Sequence, residues 1–348
     1  MTAVTPGVEA DALGEGARLV VDSMVVEYPT AAGVVRAVSE VSFDLAAGET
    51  LGVVGESGCG KSTMARAVLQ LPAPKSGRVL FEQTDLTTLS GERMRRLRPE
   101  LQMVFQDPVS SLNPRRTVRD IVAEPLTIWK TGSRAERLNK VDEMLHAVGL
   151  DPQEYGGRKP TELSGGQCQR VAIARALVAG AKLLVCDEPV SSLDVSLRAT
   201  VLNMLEDLQD KFDLSILFIA HDLAVVKNIS DRVMVMYLGK VVEIADADTL
   251  YARPAHPYTV ALLDSIPDPD PDAPAPKAAL AGDPPSPVDP PSGCRFRTRC
   301  AWAQDVCAQV EPPLDEVAPG HRVACHFPFV ATGSLPIRER DHTAPLPG

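Results

Sequence analysis

Gly55-Glu56-Ser57-Gly58-Cys59-Gly60-Lys61-Ser62-Thr63 follows the apolar run Thr50–Val54 and opens a helical pattern from Gly60 to Leu71. This spacing, GxxxxGK[ST] after a strand and before a helix, is that of a P-loop. The glycines let the backbone curl so that successive N–H groups face inward as an anion nest, aided by the dipole of the following helix. Lys61 is then in reach of β- and γ-phosphates, and the Ser62 hydroxyl is placed to ligate Mg²⁺. The competing reading is a Gly-rich turn that merely starts a helix. Nine residues matching in the right context weigh against it.

Outward from this loop, short apolar runs alternate with helical patterns from about residue 18 to 265, which predicts an α/β domain with a largely parallel sheet. Lys182–Asp187 and Ser215–Ala220 read as further strands, and Glu162–Ala179 as a long helix. Such sheets place their ligands at the C-terminal ends of the strands. One of those ends carries Asp187 and Glu188. Asp187 is suited to hold Mg²⁺, directly or through water, and Glu188 to take a proton from an attacking water or to orient it. Two acids at a strand end are, taken alone, more often a solvated turn; the P-loop upstream changes the balance.

Leu163-Ser164-Gly165-Gly166-Gln167 opens the long helix twenty residues before Asp187. P-loop, LSGGQ and an apolar run ending in Asp-Glu, in this order, resemble the nucleotide-binding domain of ABC ATPases. The resemblance implies that the phosphate ligand is ATP with Mg²⁺. It implies that Gly55, Glu56, Ser57, Gly58, Cys59, Gly60, Lys61, Ser62 and Thr63 bind its phosphates. It also implies that Ser164, Gly165, Gly166 and Gln167 form a second phosphate surface, closed over the ATP of a partner domain paired head to tail. By the same resemblance Tyr28 stacks on adenine. Gln106 senses Mg²⁺ and the lytic water, so Ser62, Gln106 and Asp187 are the Mg²⁺ residues. Asp194, in Ser191-Ser-Leu-Asp194, lies on a loop crossing the dimer interface, and His221 contacts the γ-phosphate. Glu188, His221, Gln106 and Lys61 are the expected catalytic set. Residues of about 108–160 correspond to a helical subdomain whose groove receives a coupling helix from a permease.

A narrower likeness rests on Phe105-Gln-Asp-Pro-Val-Ser-Ser-Leu-Asn-Pro114-Arg115 and on Pro254-Ala-His256-Pro257-Tyr258-Thr259. Both resemble the ATPases of oligopeptide and dipeptide importers, with nickel importers sharing much of the pattern. The implied partners are a second ATPase subunit in a head-to-tail heterodimer, two transmembrane permease subunits and an extracytoplasmic peptide-binding protein. The implied location is the cytoplasmic face of the cell membrane. Cys294, Cys300, Cys307 and Cys325 are spaced C-x5-C-x6-C-x17-C, near the C-terminus. In a reducing compartment such a cluster reads as a metal site before it reads as disulfides. Four thiolates suit Zn²⁺ or a [4Fe–4S] cluster; the spacing matches neither common zinc fingers nor the bacterial ferredoxin run. The resemblance favours the cluster, with zinc and metal-free thiols as alternatives. His321 and His326 flank Cys325 as substitute ligands.

The resulting organisation is a disordered N-terminus over 1–17, an ATPase domain over 18–265, a Pro/Asp-rich linker over 266–292, a Cys module over 293–330 that the linker isolates, and a disordered tail over 331–348. The 348 residues hold 46 acidic against 35 basic side chains, a net charge of −11. That balance argues against a nucleic-acid partner. A non-transport ABC ATPase acting on DNA or ribosomes is the rival reading, and it predicts basic patches or two cassettes. No stretch of 18 uncharged apolar residues occurs, and residues 1–16 lack the pattern of a signal peptide.

Overall fold

The structure, a computed structural model, describes residues 16–265 and 282–329. The sequence expectations for the N-terminus as far as residue 15, for the linker from 266 to 281 and for the tail from 330 lie outside the described residues. The chain opens with two long strands, β1 (Ala17–Thr30) and β2 (Gly33–Ala46), followed by β3 (Thr50–Val54), helix α1 (Lys61–Val68), β4 (Ser76–Phe81), β5 (Thr84–Asp85), α2 (Gly91–Leu97) and β6 (Leu101–Val104). A helical stretch comes next: α3 (Pro108–Ser111), α4 (Val118–Ile128), α5 (Arg134–Ala147), α6 (Pro152–Tyr155) and α7 (Gly165–Leu177). Then come β7 (Leu183–Asp187), α8 (Val195–Phe212), β8 (Ser215–Ile219), α9 (Leu223–Ile229), β9 (Arg232–Tyr237), β10 (Lys240–Asp246), α10 (Ala247–Ala252) and α11 (Pro257–Asp264). After the gap the chain adds α12 (Asp305–Gln309), β11 (Asp315–Ala318) and β12 (His321–Val323).

Two sheets result. One has the order β11-β12-β10-β9-β3-β8-β7-β6, and the other β2-β1-β4-β5. In the larger sheet β9, β3, β8, β7 and β6 run parallel, with Leu51 opposite Leu217 and Leu184 opposite Ile216. Its central strands read as unbroken apolar runs because both faces are covered. The period of two sends alternate residues to opposite cores. Leu184, Cys186, Ile216, Phe218, Val233 and Val235 face the core built with α4, α5 and α7. Leu183, Val185, Leu217, Ile219, Met234 and Met236 face the core shared with α1 and the antiparallel sheet. That antiparallel sheet is absent from the sequence reading; register shifts in β1 between Val21 and Val26 break the alternation that would have revealed it.

Helix starts in the stretch between residues 108 and 164 carry oxygen-bearing caps. Asp107, Thr117, Ser133 and Asp151 each accept from a backbone N–H of the first turn, which satisfies donors that have no partner inside the helix.

The C-terminal segment is not an isolated module. Strand β12 pairs antiparallel with β10, placing Val323 opposite Glu243 and Arg322 opposite Ile244, so the segment extends the main sheet. Glu243 is wholly buried, and its carboxylate accepts from the Ala255 and His256 N–H groups at 2.7 and 2.9 Å and meets His321 Nε2 at 2.7 Å. Phe296 enters the core against Tyr237 and Tyr258, at centroid distances of 5.2 and 5.3 Å. The sequence missed this because the stretch before residue 282 reads as a spacer, and three-residue strands carry no periodic signal.

His256 locks the junction as a neutral ring. Its Nδ1 accepts the Tyr258 N–H at 3.0 Å while the ring bonds the Ala324 backbone. Burial pushes its pKa down to about 4 from the ordinary 6.5. The unfolded chain therefore takes up a proton as pH falls through 6.5 that the folded ring refuses until about 4. Stability is lost in that window as pH falls, by up to about 3 kcal/mol. Denaturant unfolding at about pH 7.5 and pH 5 checks this: His256→Gln should lose clearly less stability between the two than the unmodified chain. Equal losses would remove His256 as the cause.

Candidate active site

The C-terminal ends of β3, β7 and β8 lie side by side, and each delivers functional groups to one edge of the sheet. After β3 the backbone turns through Gly55, Gly58 and Gly60 at φ of 149°, 79° and 106°. Gly60 caps α1 in a left-handed conformation. A Cβ there would stand 2.1 Å from the Ala37 carbonyl oxygen, and one on Gly55 would stand 2.1 Å from that of Met236. The loop is thus wedged between β2 and β9, and only glycine fits.

Lys61 is buried with 5% exposure, and its Nζ donates to the carbonyls of Gly55 (2.7 Å) and Glu56 (3.0 Å). Ser62 Oγ donates to Asp187 Oδ1 at 2.6 Å, and Arg66 Nη2 lies 3.6 Å from Asp187 Oδ2. A hydroxyl and a carboxylate adjacent at the edge of a phosphate cradle are the hard oxygen donors that Mg²⁺ prefers. Burial raises the pKa of the Cys59 and Cys186 thiols, with Lys61 opposing at Cys59 and Asp187 reinforcing at Cys186. Neither thiol is set up as a nucleophile.

Glu188 sits in the left-handed region at φ 50°, its N–H donating to the Ile219 carbonyl, the last residue of β8. This turns its carboxylate to meet Gln106 Nε2 at 2.8 Å and His221 Nδ1 at 3.4 Å. Two groups, from the ends of β6 and β8, therefore converge on one oxygen of the carboxylate at the end of β7, and the His221 side chain remains 58% exposed. A carboxylate held this way can accept a proton from a water within hydrogen-bond reach.

A cavity of about 360 Å³ joins these pieces, lined among others by Tyr28, Ser57, Gly58, Lys61, Thr63, Gln106 and Glu188. Arg36, Ala37, Leu238, Gly239 and Pro287 also line it, and the sequence reading named none of them. They reach the site by strand pairing and by the return of the C-terminal segment, which leave no motif. Ser164, Gly165, Gly166, Gln167 and Asp194 do not line it. Ser164 caps α7 in a capping box with Gln167, and Asp194 caps α8. In this single chain the signature residues stand apart from the P-loop.

Cys294, Cys300, Cys307 and Cys325 do come together, around a cavity of about 20 Å³ that His256 and His326 also line. That is room for about one water. Burial raises the pKa of Cys294, Cys300 and Cys325, the last to about 11. Among the described residues no group of three or more His, Cys, Asp or Glu side chains is placed to hold a metal ion. The [4Fe–4S] cluster expected from the resemblance is therefore not supported, nor is zinc. His321 is engaged by Glu243, and His326 Nε2 lies 2.9 Å from the Val310 carbonyl.

Comparisons with known proteins agree with this geometry. A family profile described as ABC transporter matches residues 38–191, and one described as the C-terminal region of oligopeptide/dipeptide transporters matches residues 242–307. The oligopeptide transport ATP-binding protein AppF of Bacillus subtilis is 51% identical over 298 residues, covering 85% of this chain and 90% of that one. A Brucella ovis protein named for peptide import is 51% identical over 307 residues, covering 88% and 96%. Among solved structures, a dimeric bacterial ABC transporter cassette superposes with a TM-score of 0.60 at 27% identity, covering 66% of this chain and 98% of its own. CbiO1 of Clostridium perfringens superposes at 0.62 and 28%, covering 68% and 92%.

The crowding at Gly60 gives a direct test. Gly60→Ala forces a side chain at φ 106° into the Ala37 carbonyl, so nucleotide affinity measured by calorimetry should fall at least about tenfold. Unchanged affinity would show that the loop does not need this conformation to bind.

Proposed function

Since the chain belongs to the ABC transporter ATPases, and among them to the ATP-binding subunits of peptide importers, we propose that its cavity binds MgATP and that Glu188 is the base of ATP hydrolysis. The observation that carries this is the convergence of Gln106 and His221 on the Glu188 carboxylate, beside a P-loop whose Lys61 and Ser62 are already in place. In this reading Lys61 leaves its two carbonyl partners for the phosphates, and Ser62 and Asp187 hold Mg²⁺, which supplies charge neutralisation at the phosphates. Glu188 takes the proton of the attacking water at its carboxylate. Gln106 and His221 fix that carboxylate's direction, and Tyr28, 36% exposed at the cavity, offers its ring to the base.

The signature residues lie outside the chain's own cavity, which favours a head-to-tail pairing that brings Ser164 of one ATPase subunit over the ATP of another. Asp194 then lies on the loop facing the partner. The N-terminal dipole of α7 and the Gly165 and Gly166 N–H groups suit an anion there. We take the partner to be a second, different ATPase subunit, with two permease subunits and an extracytoplasmic peptide-binding protein completing the importer on the cytoplasmic face of the membrane. No helix among the described residues is long and apolar enough to cross a bilayer, so the pore belongs to those other subunits. The match to oligopeptide/dipeptide transporters sets the nickel alternative aside. The iron–sulfur centre forms no part of this reading.

Two measurements test it. Glu188→Gln should retain ATP binding and lower turnover by on the order of 10²-fold or more, the scale of a lost general base; near-normal turnover would take Glu188 out of its role. Complex purified from its native membrane and reconstituted with its binding protein should show ATPase activity raised by mixed short peptides. Stimulation by chelated nickel alone would overturn the peptide assignment.

A further inference from the structure

Three ties converge on Glu56, the second residue of the P-loop. Its N–H donates to the Tyr258 hydroxyl at 2.8 Å, and its carbonyl accepts from Lys61 Nζ at 3.0 Å. Its carboxylate makes a two-pronged ion pair with Arg299, Nη1 to Oε2 at 2.6 Å and Nη2 to Oε1 at 2.9 Å. The Arg299 side chain is only 4% exposed, against 25% for Glu56. Its guanidinium is seated over Tyr237, 5.8 Å from the ring centroid. Arg299 stands between Phe296, which anchors the segment on Tyr237 and Tyr258, and Cys300. The same return of the chain touches the nucleotide cavity at a second place: Pro287 lines it, and the Pro287 carbonyl accepts the Arg36 N–H at 3.1 Å.

We infer that Arg299, supplied by the C-terminal segment, is a positioning residue for nucleotide binding that neutralises Glu56 at the rim of the phosphate cradle and fixes the peptide unit holding Lys61. The physical reason is charge. A carboxylate one residue from the cradle repels a polyanionic ligand unless a cation is paired with it, and Glu56 is exposed enough for salt to screen that repulsion once the pair is broken. A bidentate guanidinium supplies the cation and also sets direction. Held by Arg299 at its side chain and by Tyr258 at its N–H, the Glu56 backbone presents its carbonyl to Lys61 and keeps the ammonium beside the cradle until phosphate replaces it. This deepens the ATP-site reading and rests on it. It also assigns the C-terminal segment a part in the nucleotide site that needs no metal on its cysteines.

A purely structural tether predicts loss of stability alone, so the test separates charge from folding. MgATP affinity of the full-length chain would be measured by calorimetry at about 50 mM and about 300 mM NaCl, with thermal unfolding alongside. Arg299→Gln should weaken binding about tenfold at the lower salt and less at the higher, because screening relieves the exposed repulsion. Glu56→Gln combined with Arg299→Gln should bring affinity back to within about threefold of the unmodified chain, since the carboxylate that Arg299→Gln leaves uncompensated beside the cradle is then gone. Arg299→Gln binding as tightly as the unmodified chain would overturn the inference. So would a double variant as weak as Arg299→Gln alone. If Arg299→Gln does not fold, Arg299→Lys decides: affinity within about threefold supports the charge role, and a tenfold loss at both salts overturns it. Failure of the unmodified chain to bind MgATP would instead take down the ATP-site reading beneath it.

Discussion

An anion site made of backbone N–H groups has to exist before its ligand arrives, because flexible peptide units would solvate themselves or each other first. Here the constraint is met by confinement. The P-loop follows a strand buried on both faces, its glycines lie against the carbonyls of Ala37 and Met236, and its lysine is held by the loop's own oxygens. Everything else in the site is placed relative to that rigid turn. Register between β3, β8 and β7 brings Asp187 under Ser62, and the bond from the Glu188 N–H to Ile219 turns the neighbouring carboxylate toward Gln106 and His221.

The rigidity has a cost in buried polarity, met by dedicated partners. Glu243 is fully buried, and two backbone N–H groups and His321 satisfy it. A buried carboxylate stripped of one such partner costs far more than the pair contributes when intact. The C-terminal strand is thus not an ornament on a finished domain: it brings the histidine that lets β10 carry an acid in the interior. The aromatic contacts among Tyr237, Tyr258 and Phe296 extend the same junction to the P-loop.

What the sequence disclosed follows the strength of its local signals. Thr50–Val54 appears as a strand with the bounds expected, since a short apolar run between turn residues has few other fates. The helix read over Glu162–Ala179 forms over Gly165–Leu177, shortened because Ser164 is the cap and the residues before it make a turn. The P-loop and the Asp187-Glu188 pair could be found by spacing. The residues lining the cavity from β2, from the β9–β10 turn and from Pro287 could not, because they arrive by tertiary pairing. The cysteines are a mixed case. Their clustering near the C-terminus suggested a metal centre; the four do line one small cavity, but no group placed to hold a metal occurs among the described residues, so the cluster has no support beyond the spacing.

The position of β12 also bears on how the protein is made. Strand β10 ends at Asp246 and its outer neighbour begins at His321. A ribosome adding roughly 5–20 residues per second leaves that edge unpaired for on the order of 10 s. During that interval the nascent ATPase domain presents an open strand edge, the form of surface that invites pairing with another chain. Strand β12 therefore acts as the stopper for a sheet edge that β10 leaves open until it arrives.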